Sequence, residues 1–248
     1  MPSSHDVWEV LSTARTIRRF SDEPVEDATL GRCLEAASWA PNGANAQAWR
    51  FVVLQSPEQR AAVAEAARRA LTVIESVYGM SRPADDDQSR FARNNRATYE
   101  LHDRAGERTS VLFCTYGYET ASELLLGGSI YPAMQNFLLA ARALGLGTCI
   151  TSWASYGGEE VLREAIGVPQ PWLLAGHVVV GWPRGNHGPV RRRPLGDVVD
   201  LDHWDAPAVA IAGQRTPGTD FDVLRYRGKL PDTEKSPPSA TEPDPQRR

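Results

Sequence analysis

Apolar positions along the chain switch repeatedly between a helical repeat and an extended one. Val7, Val10, Leu11 and Ala14 keep the helical period and predict a short amphipathic helix from Asp6 to Ala14, capped by Ser4 or Asp6. Leu30, Cys33, Leu34 and Ala37 fall at i, i+3, i+4 and i+7, which predicts a second helix over about 27–39, stopped by Pro41. Phe51 to Leu54 reads as a strand. Behind it, Ser56, Pro57 and Gln59 supply a cap, a first-turn proline and a capping-box partner for a long Ala-rich helix. Ser110 to Tyr116 predicts a buried strand, and Tyr131 to Leu144 an apolar, central helix with Pro132 at its start and Gly145 past its end. Thr148 to Trp153 and Leu173 to Trp182 predict two more strands, separated by a short helix over 159–166 closed by Gly167 and Pro169.

Two stretches break the rhythm. Tyr78 to Arg108 is charged, with few apolar positions, and predicts a mobile helical excursion or lid. Beyond Trp204 the chain turns Pro-rich and charged, and its end carries no packing pattern. Helices and strands interleave from Asp6 to Trp204 without an internal repeat, which predicts one α+β domain.

Composition narrows the function classes. The 248 residues are 42% hydrophobic and 23% charged, enough for a full core. A net charge of -4 gives no long-range attraction for polyanions, and the only basic run is Arg191 to Arg193, so no nucleic-acid partner is expected. The amino terminus lacks an apolar targeting core and no apolar run approaches the ~20 residues of a membrane helix, so a cytoplasmic protein without a membrane partner is expected. Cys33, Cys114 and Cys149 lie in apolar segments without CxxC spacing, pointing to buried thiols, a reducing compartment and no zinc site.

Several catalytic designs are missing: GxSxG, HExxH, a Walker loop and a metal-spaced Cys and His set. His177, inside LAGHVVVGW, reads as a satisfied core histidine rather than a base. The GLGT at 145–148 follows a helix and precedes a strand, the reverse of a dinucleotide-binding turn. Three segments suit a phosphorylated aromatic ligand. In ARTIRRF, Arg15, Thr16 and Arg18 offer a charge-assisted clamp or, read alone, a solvated basic patch. In APNGANAQAW, Asn42, Asn45 and Gln47 offer donors and acceptors to a ring bearing carbonyls and N–H groups, or build an ordinary turn. In RRRPL, Arg191 and Arg193 share a face if the backbone is extended, a second phosphate clamp.

Taken in order, these segments resemble the flavin-dependent nitroreductase-like family. ARTIRRF, then PV, then LEAASWAPNGANAQAWRFVVL is similar to its amino-terminal signature, R-S-x-R-x-F followed by A-P-S-G-x-N-x-Q-P-W. AMQNFLLAARALGLGTC resembles the family's central helix and following strand, IGVPQPWLLAGHVVVGWP its late helix, turn and strand, and RRRPLGDVV its carboxy-terminal basic motif. The likeness runs collinearly from about Val7 to Trp204.

The resemblance implies an α+β fold with a small, mainly antiparallel sheet wrapped by helices, and an intertwined homodimer with FMN at the interface. Residues 1–212 would form the FMN-binding domain and 213–248 a largely disordered tail. Arg15, Thr16 and Arg18, joined by Arg191 and Arg193, would hold the phosphate and ribityl end. Asn42, Asn45 and Gln47 would line the ring, partly from the other subunit, with Ser129 beside it. The end of the 147–153 strand, with the Thr151 or Ser152 hydroxyl, would lie near the flavin N5. The apolar central helix and the segment Asp197 to Leu201 would suit a swapped-strand dimer.

The chain departs from the pattern at Ala14, where relatives carry a second arginine, at Asn42 for serine and at Ala48 for proline. The implied activity is ping-pong hydride transfer from NADPH or NADH through FMN to an electron-poor small molecule such as a nitroaromatic or quinone. No side chain is expected to be catalytic, because the flavin carries the chemistry. The alternatives are a specialised flavin-dependent dehydrogenase or reductase of one biosynthetic intermediate, and a non-catalytic flavin-binding protein. In the 78–108 stretch, Phe91 and Tyr99 would face the acceptor and Arg93 and Arg96 a nicotinamide phosphate, or all four would anchor a surface helix.

Overall fold

A four-stranded antiparallel sheet organises the computed structural model: β1 (Trp49–Leu54), β2 (Thr109–Tyr116), β3 (Gly147–Thr151) and β4 (Trp172–Gly181). Their order across the sheet is β1-β2-β4-β3, so β1 and β3 are the two edges. Residues 6–119 and 122–216 are described, and the chain divides between Val190 and Arg191 into two compact units. The sheet lies in the first unit.

Alternation along the strands splits the core in two. Val111, Phe113, Val178 and Val180 face one side, where they pack with Leu30, Cys33 and Ala37 of α2 (Asp27–Ser38) and Met134, Phe137 and Ala141 of α5 (Glu123–Ala143). Leu112, Cys114, Cys149 and Val179 face the other side, against α3 (Pro57–Tyr78), Leu101 of α4 (Arg90–Asp103) and Leu162 of α6 (Glu159–Ile166). With a period of two, both faces of one strand can be buried only when helices cover both sides of the sheet. This bears out the α+β class. The three cysteines are buried and unpaired, and burial pushes each thiol up to about 11.

Local signals formed where they were expected. Ser56 caps α3 by accepting from the Gln59 backbone N–H at 3.4 Å, and Gly79 closes that helix with φ 59°. α6 ends at Gly167, φ 69°. The first helix, α1 (Val7–Thr13), has Asp6 at its N-cap, but that side chain makes no capping bond, and Ser4 lies outside the described residues.

Four expectations need correction. α5 begins at Glu123, eight residues before Tyr131, with Ser122 accepting from the Leu125 N–H at 3.3 Å and Pro132 inside the helix. Gly127 and Gly128 continue this helix instead of breaking it. The Tyr131 ring lies across Gly127, 2.7 Å from where a Cβ would stand. The resulting stretch Leu124–Ala143 is long and apolar enough to cross a membrane, contrary to the sequence expectation, yet Ala133, Phe137 and Ala141 are fully buried in the core.

The 78–108 stretch docks rather than floats. Tyr99, Leu101 and Ala105 are buried, the Tyr99 hydroxyl donates to Glu75 at 2.8 Å, and Arg82 sits 4.5 Å over its ring. Arg96 donates to the Ala84 and Asp87 carbonyls and Arg93 to that of Gln88, so both arginines tie down the preceding loop. Only Phe91, 71% exposed, fits the expected outward aromatic.

In the second unit, 197–201 is not a strand. Asp197 ends a 3-10 turn and Asp200 makes a single bridge to Pro207, before a last short helix, α7 (Val209–Ala212). The buried Asp197 carboxylate accepts from the Thr216 backbone N–H at 2.7 Å. Residues 217–248 of the expected tail lie outside the described residues.

Candidate functional site

The segment carrying Arg15, Thr16 and Arg18 runs along the outer side of edge strand β3. Thr16 bridges Thr148 in parallel, and the Ile17 N–H donates to the Thr148 carbonyl at 2.8 Å. Glycine at 147 makes this approach possible, because a Cβ there would stand 2.9 Å from the Ile17 side chain. The pairing covers the strand edge and places ARTIRRF beside the strand that ends in Thr151, just before Ser152.

Arg15 lies toward Gly188, its Nη1 3.7 Å from where a Cβ would stand. Arg18 lines a shallow pocket with Phe20, Glu100, Leu101, Arg104 and Arg108. Most cations around that pocket are already matched. Arg104 and Arg108 reach Asp22 at 2.5 and 3.1 Å, and Arg19 and Arg184 reach Glu100 at 3.0 and 2.9 Å. The Arg104 and Arg108 bonds hold the Asp22 carboxyl below its usual range. Arg18 is the exception, with no hydrogen-bond or ion-pair partner among the described residues. A half-buried, unmatched guanidinium is suited to an anionic oxygen.

Asn42, Asn45 and Gln47 form a tight loop before the opposite edge strand, β1. The Gln47 N–H donates to Asn42 Oδ1 at 2.8 Å, and Gln47 Nε2 to Asn45 Oδ1 at 3.4 Å. Ala44, Asn45 and Gln47 adopt φ of 51°, 53° and 49°, left-handed values that cost side-chain-bearing residues of order 1 kcal/mol or more each. Strain held by surrounding contacts concentrates where backbone must face a ligand. Ser129 of α5 joins this group, accepting from the Gly43 N–H at 3.5 Å.

The expected site residues therefore fall into separate groups. Arg15, Thr16, Arg18, Thr151 and Ser152 lie along β3, while Asn42, Asn45, Gln47 and Ser129 gather at the entrance to β1. Three strand spacings separate these edges, about 14 Å. Arg191 and Arg193 belong to the second unit, where both are exposed.

Histidine chemistry was the part sequence reading missed. His177 is buried as expected, but it is not fully satisfied: Nδ1 meets Thr151 Oγ1 at 2.8 Å while Nε2 has no partner among the described residues. His102 is buried too, and burial lowers its pKa. Its only sequence signal was a position four residues after Thr98, whose carbonyl it bonds at 2.8 Å.

The Nitroreductase family model matches residues 11–182. The chain belongs to the nitroreductase family. This nitroreductase-family chain is 30% identical over 190 residues to an NADH dehydrogenase of Thermus thermophilus, covering 75% of this chain and 90% of that one. It is 27% identical over 190 residues to the 5,6-dimethylbenzimidazole synthase of Rhodospirillum rubrum, covering 75% and 86%. In fold it resembles the FMN and NADPH-dependent nitroreductase NfnB from sphigopyxis sp. strain HMH, with TM-score 0.61 at 21% identity over 81% of this chain and 100% of that one.

Proposed function

We propose that the protein is an FMN-dependent oxidoreductase that takes hydride from NADPH or NADH and reduces an electron-poor small molecule, a quinone or nitroaromatic, at a site shared between two copies of the chain. The observation that carries this reading is the family match together with the unmatched Arg18 beside β3. Arg18 and the Thr16 hydroxyl take the phosphate end, with Arg15 at the rim. Asn42, Asn45, Gln47 and Ser129 meet the carbonyl and N–H edge of the ring. Thr151 and Ser152 stand at the ring's reactive middle. Arg191 and Arg193 enter on the resemblance of RRRPL alone. Bound FMN would supply the hydride chemistry itself. The chain's own groups bind it, orient it and exclude water.

A second copy is part of the proposal because the two groups of site residues stand at opposite sheet edges. Leu124, Leu125 and Tyr131 of α5 are 89, 68 and 55% exposed, an apolar surface that a partner would cover. The full chain is expected to purify yellow, as a dimer with about one FMN per chain, and to oxidise NADPH faster when a quinone is supplied. A colourless monomer that cannot be loaded with FMN would overturn the proposal.

The likeness to a 5,6-dimethylbenzimidazole synthase favours a second reading, a flavin-dependent enzyme acting on one biosynthetic intermediate. FMN binding without acceleration by any quinone or nitroaromatic would favour it over the first.

A further inference from the structure

Thr151 and His177 are directly opposed in the β3–β4 ladder, and Thr151 Oγ1 lies 2.8 Å from His177 Nδ1. The two ends of this pair differ in surroundings. Thr151 is partly exposed, whereas His177 is 1% exposed. Burial pushes the imidazole pKa down to about 3, so the ring is neutral and carries a single N–H.

Which nitrogen holds that hydrogen follows from the orphaned atom. Nε2 is buried and has no hydrogen-bond partner among the described residues. A hydrogen on Nε2 would leave a buried N–H unpaired, and orphaned buried donors are the rarer arrangement. A hydrogen on Nδ1 leaves only a lone pair bare and is used, because Nδ1–H then donates to Thr151 Oγ1. The hydroxyl hydrogen of Thr151 must then point away from His177.

The imidazole is also braced. Its ring centroid lies 5.1 Å from that of Trp153, which is itself 1% exposed. The Trp153 indole N–H donates to His102 Nε2 at 2.9 Å, and His102 Nδ1–H donates to the Thr98 carbonyl on α4. A neutral His102 satisfies both bonds at once. The chain of contacts from α4 to the end of β3 therefore has one open end, the Thr151 hydroxyl.

We propose that His177 is a positioning residue: as its Nδ1–H tautomer it fixes the Thr151 hydroxyl as an outward hydrogen-bond donor to an acceptor atom of the flavin ring. This rests on the FMN reading above. Threonine alone would rotate its hydroxyl freely between donor and acceptor roles. With one lone pair of the oxygen taken by His177 Nδ1–H, the hydroxyl hydrogen is turned away from His177 and is free to donate, which suits a ring nitrogen or carbonyl at that point.

The test uses the full chain loaded with FMN. Nitrogen NMR of 15N-histidine protein should show His177 protonated at Nδ1, its resonances assigned by their loss in His177→Asn. With 15N-FMN, Thr151→Val should move one ring-nitrogen or carbonyl-coupled resonance toward the value of an unbonded flavin and weaken FMN binding about five- to tenfold. Thr151→Ser should stay near wild type, as should His177→Asn, whose Nδ2 can take the place of Nδ1–H. A His177 protonated at Nε2, or a Thr151→Val protein with unchanged FMN resonances and affinity, overturns this inference while leaving the FMN reading intact. A wild-type chain that takes up no FMN overturns the functional reading and this inference with it.

Discussion

Arg18 and His177 are both half-finished interactions in the isolated chain, and each makes a quantitative claim. Arg18 has neighbours of its own sign in Arg104 and Arg108 and no partner among the described residues, so its contribution should appear when an anion binds. Arg18→Ala should weaken FMN binding by roughly 1.5 to 3 kcal/mol, the range for hydrogen bonds to a charged group, with little change in melting temperature. Fluorescence titration with FMN would check this, and full retained affinity would return Arg18 to the role of a surface charge. His177 makes a claim about stability. Its folded pKa is depressed to about 3, below the ordinary value near 6.5, so stability present above that ordinary value is lost as pH falls toward 3. In that window the unfolded chain binds a proton that the folded chain refuses, at about 1.4 kcal/mol per pH unit. Burial lowers His102 and His187 as well, and they act in the same direction. Urea unfolding between pH 7 and 5 should fall more steeply for wild type than for His177→Asn; parallel profiles would contradict it.

At the scale of elements, α4 shows where a linear reading fails. Its buried residues are Ala92, Tyr99, Leu101 and His102, a set too small and too polar to announce a packed face. They are buried because α3 and the sheet supply the other walls. Leu101→Ala should therefore cost about 2 to 5 kcal/mol, as a core truncation does, measured by chemical unfolding. A cost within experimental error would restore the expected loose excursion. Phe91→Ala should leave stability unchanged, since that ring is 71% exposed. What was legible shares one property: the signal is local. Ser56-Pro57 starts α3, Gly167 ends α6, and the β-branched and aromatic run of β2 makes a strand. The start of α5 was lost because glycine and proline are local breakers whose cost burial of the apolar face outweighs. The left-handed backbone of Ala44 and Gln47 was equally hidden, because neither residue type favours it, whereas Asn45 is of a type that adopts it readily.

For the whole molecule, residue types suggested which segments could build a site but not their layout, since strand order is not written in sequence. ARTIRRF and APNGANAQAW read as two parts of one site, yet they stand at the two edges of the sheet. A site shared between two copies, as proposed, would reconcile these facts, and it can be tested by complementation. Chains carrying Arg18→Ala and chains carrying Gln47→Ala, each impaired in FMN binding, should form mixed dimers that regain about one intact site when co-expressed. No recovery would mean that each site is built from a single chain. The central claim is more direct, that the chain carries FMN through a cycle of reduction and reoxidation. The decisive measurement is the visible spectrum of the FMN-loaded full chain under anaerobic conditions, first with NADPH or NADH and then with a quinone. The yellow absorbance should bleach on addition of the nicotinamide and return in full with the quinone; a bound flavin that neither nicotinamide bleaches would contradict the account.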